Sequence, residues 1–361
     1  MTDWAAVRAE FPALRRWTYL NTATFGQVPR RAVAAVNAHW AQRDELACAD
    51  FLDWYEDMNR VRASIARLIN AAPEDIAFVT NAAAALSIVT SGLELGHHDH
   101  ILTLDDEFPN YQYMAHARKV PYDHLLDSID RHTKLIALSE VNYSTGFRAP
   151  LDEISKRAAD RHVPLFVDGS QSTGALVFDV AKTPVDVLAV HGYKWLISPS
   201  GAGFMYVSPQ MRERLQPNII GWRSHEDWRN VGNLHHGEPH FKQAAEKYEG
   251  GGLPFSLLYA MEASVNWMLE IGPAAIEQRV LDLAAKAHAM LLRLGGAGED
   301  SNSQIVTGFF PYLDAAEIVK KLRVQSIQVA SRRGRLRISP HFYNNEADIE
   351  RLEEALEACL R

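Results

Sequence analysis

Apolar positions along this chain follow two rhythms. Between residues 76 and 207 they come as short runs, at 76–80, 101–104, 134–139, 165–167, 187–190 and 204–207. Uninterrupted apolar runs of this length read as strands buried on both faces. Between them lie stretches with helical spacing, at 82–93 behind a capping Asn81, 110–118 and 151–161. Strands alternating with helices predict an α/β fold, a mostly parallel sheet flanked by helices. Upstream, the spacing predicts helices over 3–16, from Pro29 to about Ala47, and over 54–69. Downstream it predicts long helices over 253–271 and 274–294, then strand, helix, strand and helix, a smaller α+β C-terminal domain. Residues 209–250 show no period and are rich in Trp, His, Gly and Asn, which is long for a structureless connection and points to a site or an interface. These patterns divide the chain into a large domain over 17–252 and a small one made of 1–16 with 253–361.

Composition narrows the function classes. A length of 361 residues allows two domains, and 47% hydrophobic with 23% charged content is that of an ordinary globular protein. A net charge of -8 argues against a nucleic-acid or anionic-membrane surface. The two cysteines, Cys48 and Cys359, supply neither a disulfide framework nor a cysteine-ligated zinc site. No window approaches 18 consecutive apolar residues, and the opening MTDWAAVRAEFPAL has no sustained apolar stretch, so neither a membrane span nor a signal peptide is expected. The expectation is a cytoplasmic protein with neither nucleic acid nor membrane as partner. His97, His98, Asp99 and His100 fall in a turn with no second ligand set, so a solvated loop is expected there and no metal site. His235 and His236 lie in the irregular segment with no spacing to anchor a role.

Two strand ends carry chemistry. Asp168 closes the run VPLFVD, and Lys194 follows the run DVLAVH within His-Gly-Tyr-Lys-Trp. Taken alone, the lysine is either a snorkelling surface residue or a desolvated amine kept for covalent chemistry. Asp168 alone is equally a turn former. They lie 26 residues apart, one crossover unit, so both project into the crevice at the carboxyl ends of the strands. A carboxylate and a lysine so placed suit a cofactor with a basic ring nitrogen and an aldehyde, which describes pyridoxal phosphate. Thr80-Asn81-Ala82-Ala83-Ala84 makes a strand-to-helix junction whose free N–H groups suit a phosphate.

The stretches VDGSQSTGALVFDV, HGYKWLISPSGAGFMYV and LRISPHFYN resemble the class V aminotransferase family, the fold-type I pyridoxal-phosphate enzymes that include cysteine desulfurases, kynureninase and isopenicillin N epimerase. The resemblance covers nearly the whole chain. It implies that Lys194 is the Schiff-base lysine, that Asp168 pairs with the pyridinium nitrogen, and that Gln171 hydrogen-bonds the phenolic oxygen. His191 stands where the family often has a phosphate-binding Ser, and Tyr193 where it often has His. Ala82 and Ala83 match positions often held by Thr and Ser, leaving backbone N–H groups only. Phe108 matches the residue stacked on the ring, where cysteine desulfurases have His. Asn142 and Tyr143 match a loop near the ring face. Arg337 matches the clamp for the substrate α-carboxylate, and Asn21, Thr22 and the loop as far as Thr24 lie near the substrate in relatives. Its neighbours Arg332, Arg333 and Arg335 otherwise read as a basic surface cluster. Gly252 replaces a Thr that reaches the neighbouring subunit's phosphate in relatives. The resemblance still implies a homodimer.

Cysteine desulfurases carry a persulfide-forming Cys between the lysine and the arginine clamp. This chain has no cysteine between Lys194 and Arg337. The expected function is therefore action at the α-carbon of a small amino acid, as an aminotransferase. An isopenicillin N epimerase-like racemase and a carbon–sulfur lyase are the alternatives, and a cofactor-free binding protein stands behind them. All three reactions begin with loss of the Cα proton, for which Lys194 is the base.

Overall fold

The computed structural model describes residues 2–235, 237–298 and 301–360. The chain opens with helix α1 (Trp4–Ala9), a 3-10 turn at Pro12–Arg15 and strand β1 (Thr18–Tyr19). Two helices, α2 (Arg30–Leu46) and α3 (Phe51–Ile69), lead into β2 (Ile76–Val79) and α4 (Ala82–Gly92). Then come β3 (His100–Leu104), a single turn α5 (Pro109–Gln112), β4 (Ala117–Val120), β5 (Thr133–Ser139), α6 (Leu151–Asp160) and β6 (Leu165–Asp168). Strands β7 (Val187–His191) and β8 (Gly203–Val207) precede α7 (Pro209–Arg214), α8 (Phe255–Ile271) and α9 (Pro273–Arg293). The chain ends with β9 (Val306–Gly308), α10 (Ala315–Val324), β10 (Ile327–Gln328), β11 (Ala330–Arg332), β12 (Arg335–Ile338) and α11 (Glu346–Leu360).

Seven strands form one sheet in the order β2-β8-β7-β6-β5-β3-β4. Both neighbours of β8 pair with it antiparallel, and every other pairing is parallel. Strands β2, β6, β7 and β8 are buried at every position, as their unbroken apolar runs require. The parallel strands bring their carboxyl ends to one edge, so Thr80, Glu107, Ser139, Asp168 and His191 all emerge there. The smaller unit is an antiparallel sheet β11-β12-β9 with the parallel pair β1-β10. Its core joins Leu20, Leu283, Met290, Leu336, Ile338, Leu352 and Leu356.

The structure departs from the sequence pattern at four places. The helix expected over 110–118 is one turn, and Ala117–Val120 is instead the outermost strand. An edge strand has one covered flank, and its exposed Arg118 and Lys119 remove the apolar run that would reveal it. The first helix stops at Glu10 and gives way to a 3-10 turn started by Pro12. The expected large-domain span begins at residue 17, yet Thr18 and Tyr19 within it pair with Ile327 and Gln328 of the small unit. Helix α8, assigned to the small domain, places Leu258, Met261 and Val265 in the large core.

The segment 209–250 is ordered by charge. Glu249, whose side chain is fully buried, accepts both terminal nitrogens of Arg62 at 2.6 and 2.9 Å and the Phe78 N–H at 2.8 Å. Arg223 reaches the same carboxylate at 3.3 Å. These bonds fix the segment to β2 and α3 across long sequence separations, so no local period encodes it. Buried, paired charges of this kind are costly to break from one side, about 3–5 kcal/mol.

Candidate active site

Lys194 sits in the turn after β7, 7% exposed. The N-terminal loop closes over it: the Gly26 N–H donates to the Tyr193 carbonyl at 2.8 Å, and a Cβ on Gly26 would fall on the Lys194 carbonyl oxygen. Only glycine fits that approach. No carboxylate lies within ion-pair distance of the amine among the described residues. Burial pushes its pKa down to about 8; Asp168 pulls it up, while Arg337 and Arg332 lower it further. A neutral amine is therefore accessible near physiological pH, as a nucleophile and proton carrier requires.

Asp168 ends β6, buried at the same edge. Burial raises its pKa, opposed by hydrogen bonds from Ser170, whose N–H donates at 2.8 Å. Gln171, on the cavity wall, accepts the Trp195 indole N–H at 3.0 Å and donates to the Ala23 carbonyl at 3.1 Å. The Phe108 ring lies 5.9 Å from the Lys194 Nζ and packs against the edge of Tyr143 at 5.0 Å. Asp168, Gln171, Phe108, Ala83, His191, Tyr193 and Lys194 line one cavity of about 370 Å³, joined by Thr80, Asn81, Asn110, Ser139, Tyr143, Ser170, Ser200 and Gly201.

At the α4 end, the Asn81 side chain accepts the Ala84 N–H at 2.9 Å, capping the helix. His191 lies flat on Tyr193, with centroids 4.2 Å apart and rings within 7° of parallel. Its Nε2 is buried without a partner. Gly252 is exposed, with open space where a Cβ would stand, so any contact it makes with a second subunit is through backbone.

Arg337 is 1% exposed on β12 and has no carboxylate partner among the described residues. Its guanidinium donates to the Tyr143 carbonyl at 2.6 Å and the Thr24 hydroxyl at 2.6 Å, with Asn21 Oδ1 at 3.5 Å. The Nε has no partner. Burial, then Arg332, lowers its pKa to about 9. A buried guanidinium held by neutral acceptors is an anion site.

Five expected site residues stand off the cavity, Arg337 and the neighbouring Asn21 among them. Ala82 is buried behind Ala83 in the first turn of α4. The Thr22 hydroxyl bonds the Tyr343 hydroxyl at 2.7 Å in the core. The Asn142 side chain is used by its own loop, accepting from Ser144 and Thr145 and donating to Asp106; the neighbouring Tyr143 takes the place on the wall. Arg332, which otherwise reads as part of a basic surface cluster, donates to the Thr24 hydroxyl at 3.2 Å, beside Arg337. Glu107 is a further buried acid at the edge, concealed in the sequence by its place in Asp105-Asp106-Glu107. No group of three or more His, Cys, Asp or Glu among the described residues is placed to hold a metal ion. His235 is exposed, and His236 lies outside the described residues.

The aminotransferase class V family model matches residues 19–352. The chain belongs to the class V aminotransferase family. Among its class V relatives is isopenicillin N epimerase of Streptomyces clavuligerus, 28% identical over 99% of this chain and 98% of that protein. A probable cysteine desulfurase of Methanothermobacter thermautotrophicus is 24% identical over 97% and 96%. A solved structure of the cystine C–S lyase C-DES with its product cysteine persulfide matches at a TM-score of 0.88 and 25% identity, covering 96% of this chain and 98% of that one. A C-DES variant with glycine covalently linked to its pyridoxal phosphate matches at 0.89 and 24%, covering 97% and 98%. The protein is a pyridoxal-phosphate-dependent class V enzyme. Its own residues fit the cofactor: the amine of Lys194 has no ion-pair partner, the buried Nε2 of His191 has none either, and Asp168 stands at the neighbouring strand end.

Proposed function

We propose that the protein acts at the α-carbon of a small amino acid as an aminotransferase, working in the cytoplasm as a homodimer. The observation that supports this reading is that Lys194 is the one amine among the described residues lining the cavity, with the ring of Phe108, which has no titratable atom, 5.9 Å from its Nζ. Bound there, pyridoxal phosphate supplies an aldehyde for the amino-acid nitrogen and a ring that accepts the electron pair left at the α-carbon. Arg337 holds the α-carboxylate and fixes which bond at the α-carbon is cleaved. Lys194 takes the α-proton at its Nζ and returns it nearby, so one base is sufficient for transamination. Asp168 keeps the ring nitrogen protonated, and Phe108 limits the ring to stacking.

A second reading, carbon–sulfur lysis, is favoured by the likeness to C-DES. It shares the first proton removal and differs in the fate of the β-substituent. Epimerisation needs a proton delivered from a second carrier, for which Tyr143 on the cavity wall is the candidate. The dimer is supported by the exposed apolar residues Ile219, Ile220 and Trp222 beside the Gly250–Gly252 turn.

The deciding experiment incubates the cofactor-loaded protein with single amino acids in deuterated water. Lasting pyridoxamine phosphate with release of the oxo acid supports transamination. Pyruvate and sulfide or persulfide from cysteine or cystine support lysis, and deuterium at Cα with lost chirality supports epimerisation. A protein that stays colourless after cofactor addition points to the binding-protein alternative.

A further inference from the structure

His191 is the side chain whose placement the proton-transfer chemistry does not use. It is 9% exposed, and its ring is fixed by the stack on Tyr193. The Nε2 is buried with no hydrogen-bond partner in a wall shared with Asn81 and Ala83 at the mouth of α4. An orphaned buried nitrogen is destabilising unless a partner arrives. Helix α4 has 11 residues, and Ala83 in its first turn lines the same space. Ala82 and Ala83 supply no hydroxyl. Among the described lining residues, the side chains able to carry positive charge are Lys194 and His191.

We propose that His191 is the counter-cation of the cofactor's phosphate and takes up one proton from solvent as the phosphate enters. The inference rests on the class V reading of the site. A neutral imidazole offers one donor and one lone pair, and a lone pair turned toward a phosphate dianion repels it. The imidazolium offers donors only, and in a dry cavity its attraction to the dianion outweighs the cost of charging it. In the empty cavity the ring is neutral: burial first, and then Lys194, hold its pKa well below the ordinary value. Tyr193 and Lys194 face it from its own turn. From β6, Asp168 acts on both of them. From α4 and from the Ser200–Gly201 stretch, no titratable side chain lines the cavity. No carboxylate among the described residues acts on the His191 ring itself, so an entering phosphate is the anion that can charge it.

The test uses the apo-protein and pyridoxine 5'-phosphate, which has no aldehyde and cannot bond to Lys194. Titration calorimetry in buffers of different ionisation enthalpy should show about one more proton taken up by the wild type than by His191→Gln near pH 7.5. The wild-type affinity should weaken by about tenfold more per pH unit than the variant's between pH 7 and 8.5. Lys194 is present in both proteins, so the difference belongs to residue 191. Phosphate-free pyridoxine should show no such uptake in the wild type. If the variant does not fold, the ³¹P resonance of the bound ligand decides: it stays at the dianion position at pH 6 if the proton resides on His191, and moves to the monoanion position if it does not. Equal proton uptake in the two proteins, or equal uptake with and without the phosphate, overturns the proposal and leaves the cofactor reading intact. No binding of pyridoxine 5'-phosphate overturns both.

Discussion

Glu107 accepts the backbone N–H of Ser139 at 2.6 Å and the Ser139 hydroxyl at 2.7 Å, tying the end of β3 to the end of β5 beneath the cavity. It also accepts the Phe108 N–H at 3.2 Å, so the stacking residue and the cavity wall share one buried acid. Burial raises its pKa to about 7, with Asp168 adding to the rise and the three hydrogen bonds opposing it. The folded state therefore binds this proton better than the unfolded chain. The contribution is fully present below pH 4.5, the unfolded value, and is lost as pH rises through about 7. Glu107→Gln removes that titration. The unfolding free energy of the variant should gain on the wild type as pH rises from 5 to 7.5, by about 1–3 kcal/mol. Denaturant melts of both proteins across that range measure it, and parallel pH profiles contradict it.

Lys194→Ala removes the only amine among the described residues that line the cavity. The expected result is loss of the visible cofactor band and of turnover by at least about 10³-fold, since both covalent anchoring and proton transfer leave together. Absorbance after cofactor addition and single-turnover assays read the two separately. Turnover retained at wild-type rate would refute the central assignment.

Arg337→Ala should raise KM for the amino acid by about 10–100-fold, the value of a charge-assisted hydrogen bond to a carboxylate of about 1.5–3 kcal/mol. Arg337→Lys should not restore it, because a point charge cannot reproduce donors aimed at Tyr143, Thr24 and an incoming carboxylate at once. The check is a series of amino acids against the corresponding amines, whose binding should be insensitive to the substitution.

Much of this molecule is legible in its sequence because parallel strands covered on both faces must be apolar throughout. Runs such as 187–190 and 204–207 announce the sheet, and Asp168 and Lys194 then fall at its carboxyl edge. What stays concealed is held by partners far along the chain. Strand β4 carries Arg118 and Lys119 at an edge and has no apolar run. Glu249 is fixed by Arg62, 187 residues away. Glu107 and Arg332 look like surface charge in Asp-Asp-Glu and Arg-Arg-Gly-Arg, and only tertiary contact turns each toward the site. Asn142 shows the converse, a motif residue whose side chain is used by its own turn.

The hairpin that presents Arg337 bears on sulfur chemistry. Strands β11 and β12 are joined by two residues, Arg333 and Gly334, with φ of 48° and 74°, and Arg332 pairs directly with Arg335. Two left-handed positions in succession make the tight turn that matches strand twist. A persulfide-forming cysteine between lysine and clamp needs a loop able to reach the substrate, and this connection leaves none in the hairpin. Cys359 lies near the end of α11 and Cys48 just beyond α2, neither on the cavity wall. Cys48→Ser and Cys359→Ser, singly and together, should leave turnover within about twofold of wild type, as expected for substitutions away from the core and the site. Turnover with cysteine should leave no alkylatable persulfide on either thiol, read by mass spectrometry of the intact protein. A persulfide on Cys48 or Cys359 that turns over with substrate would restore the desulfurase route.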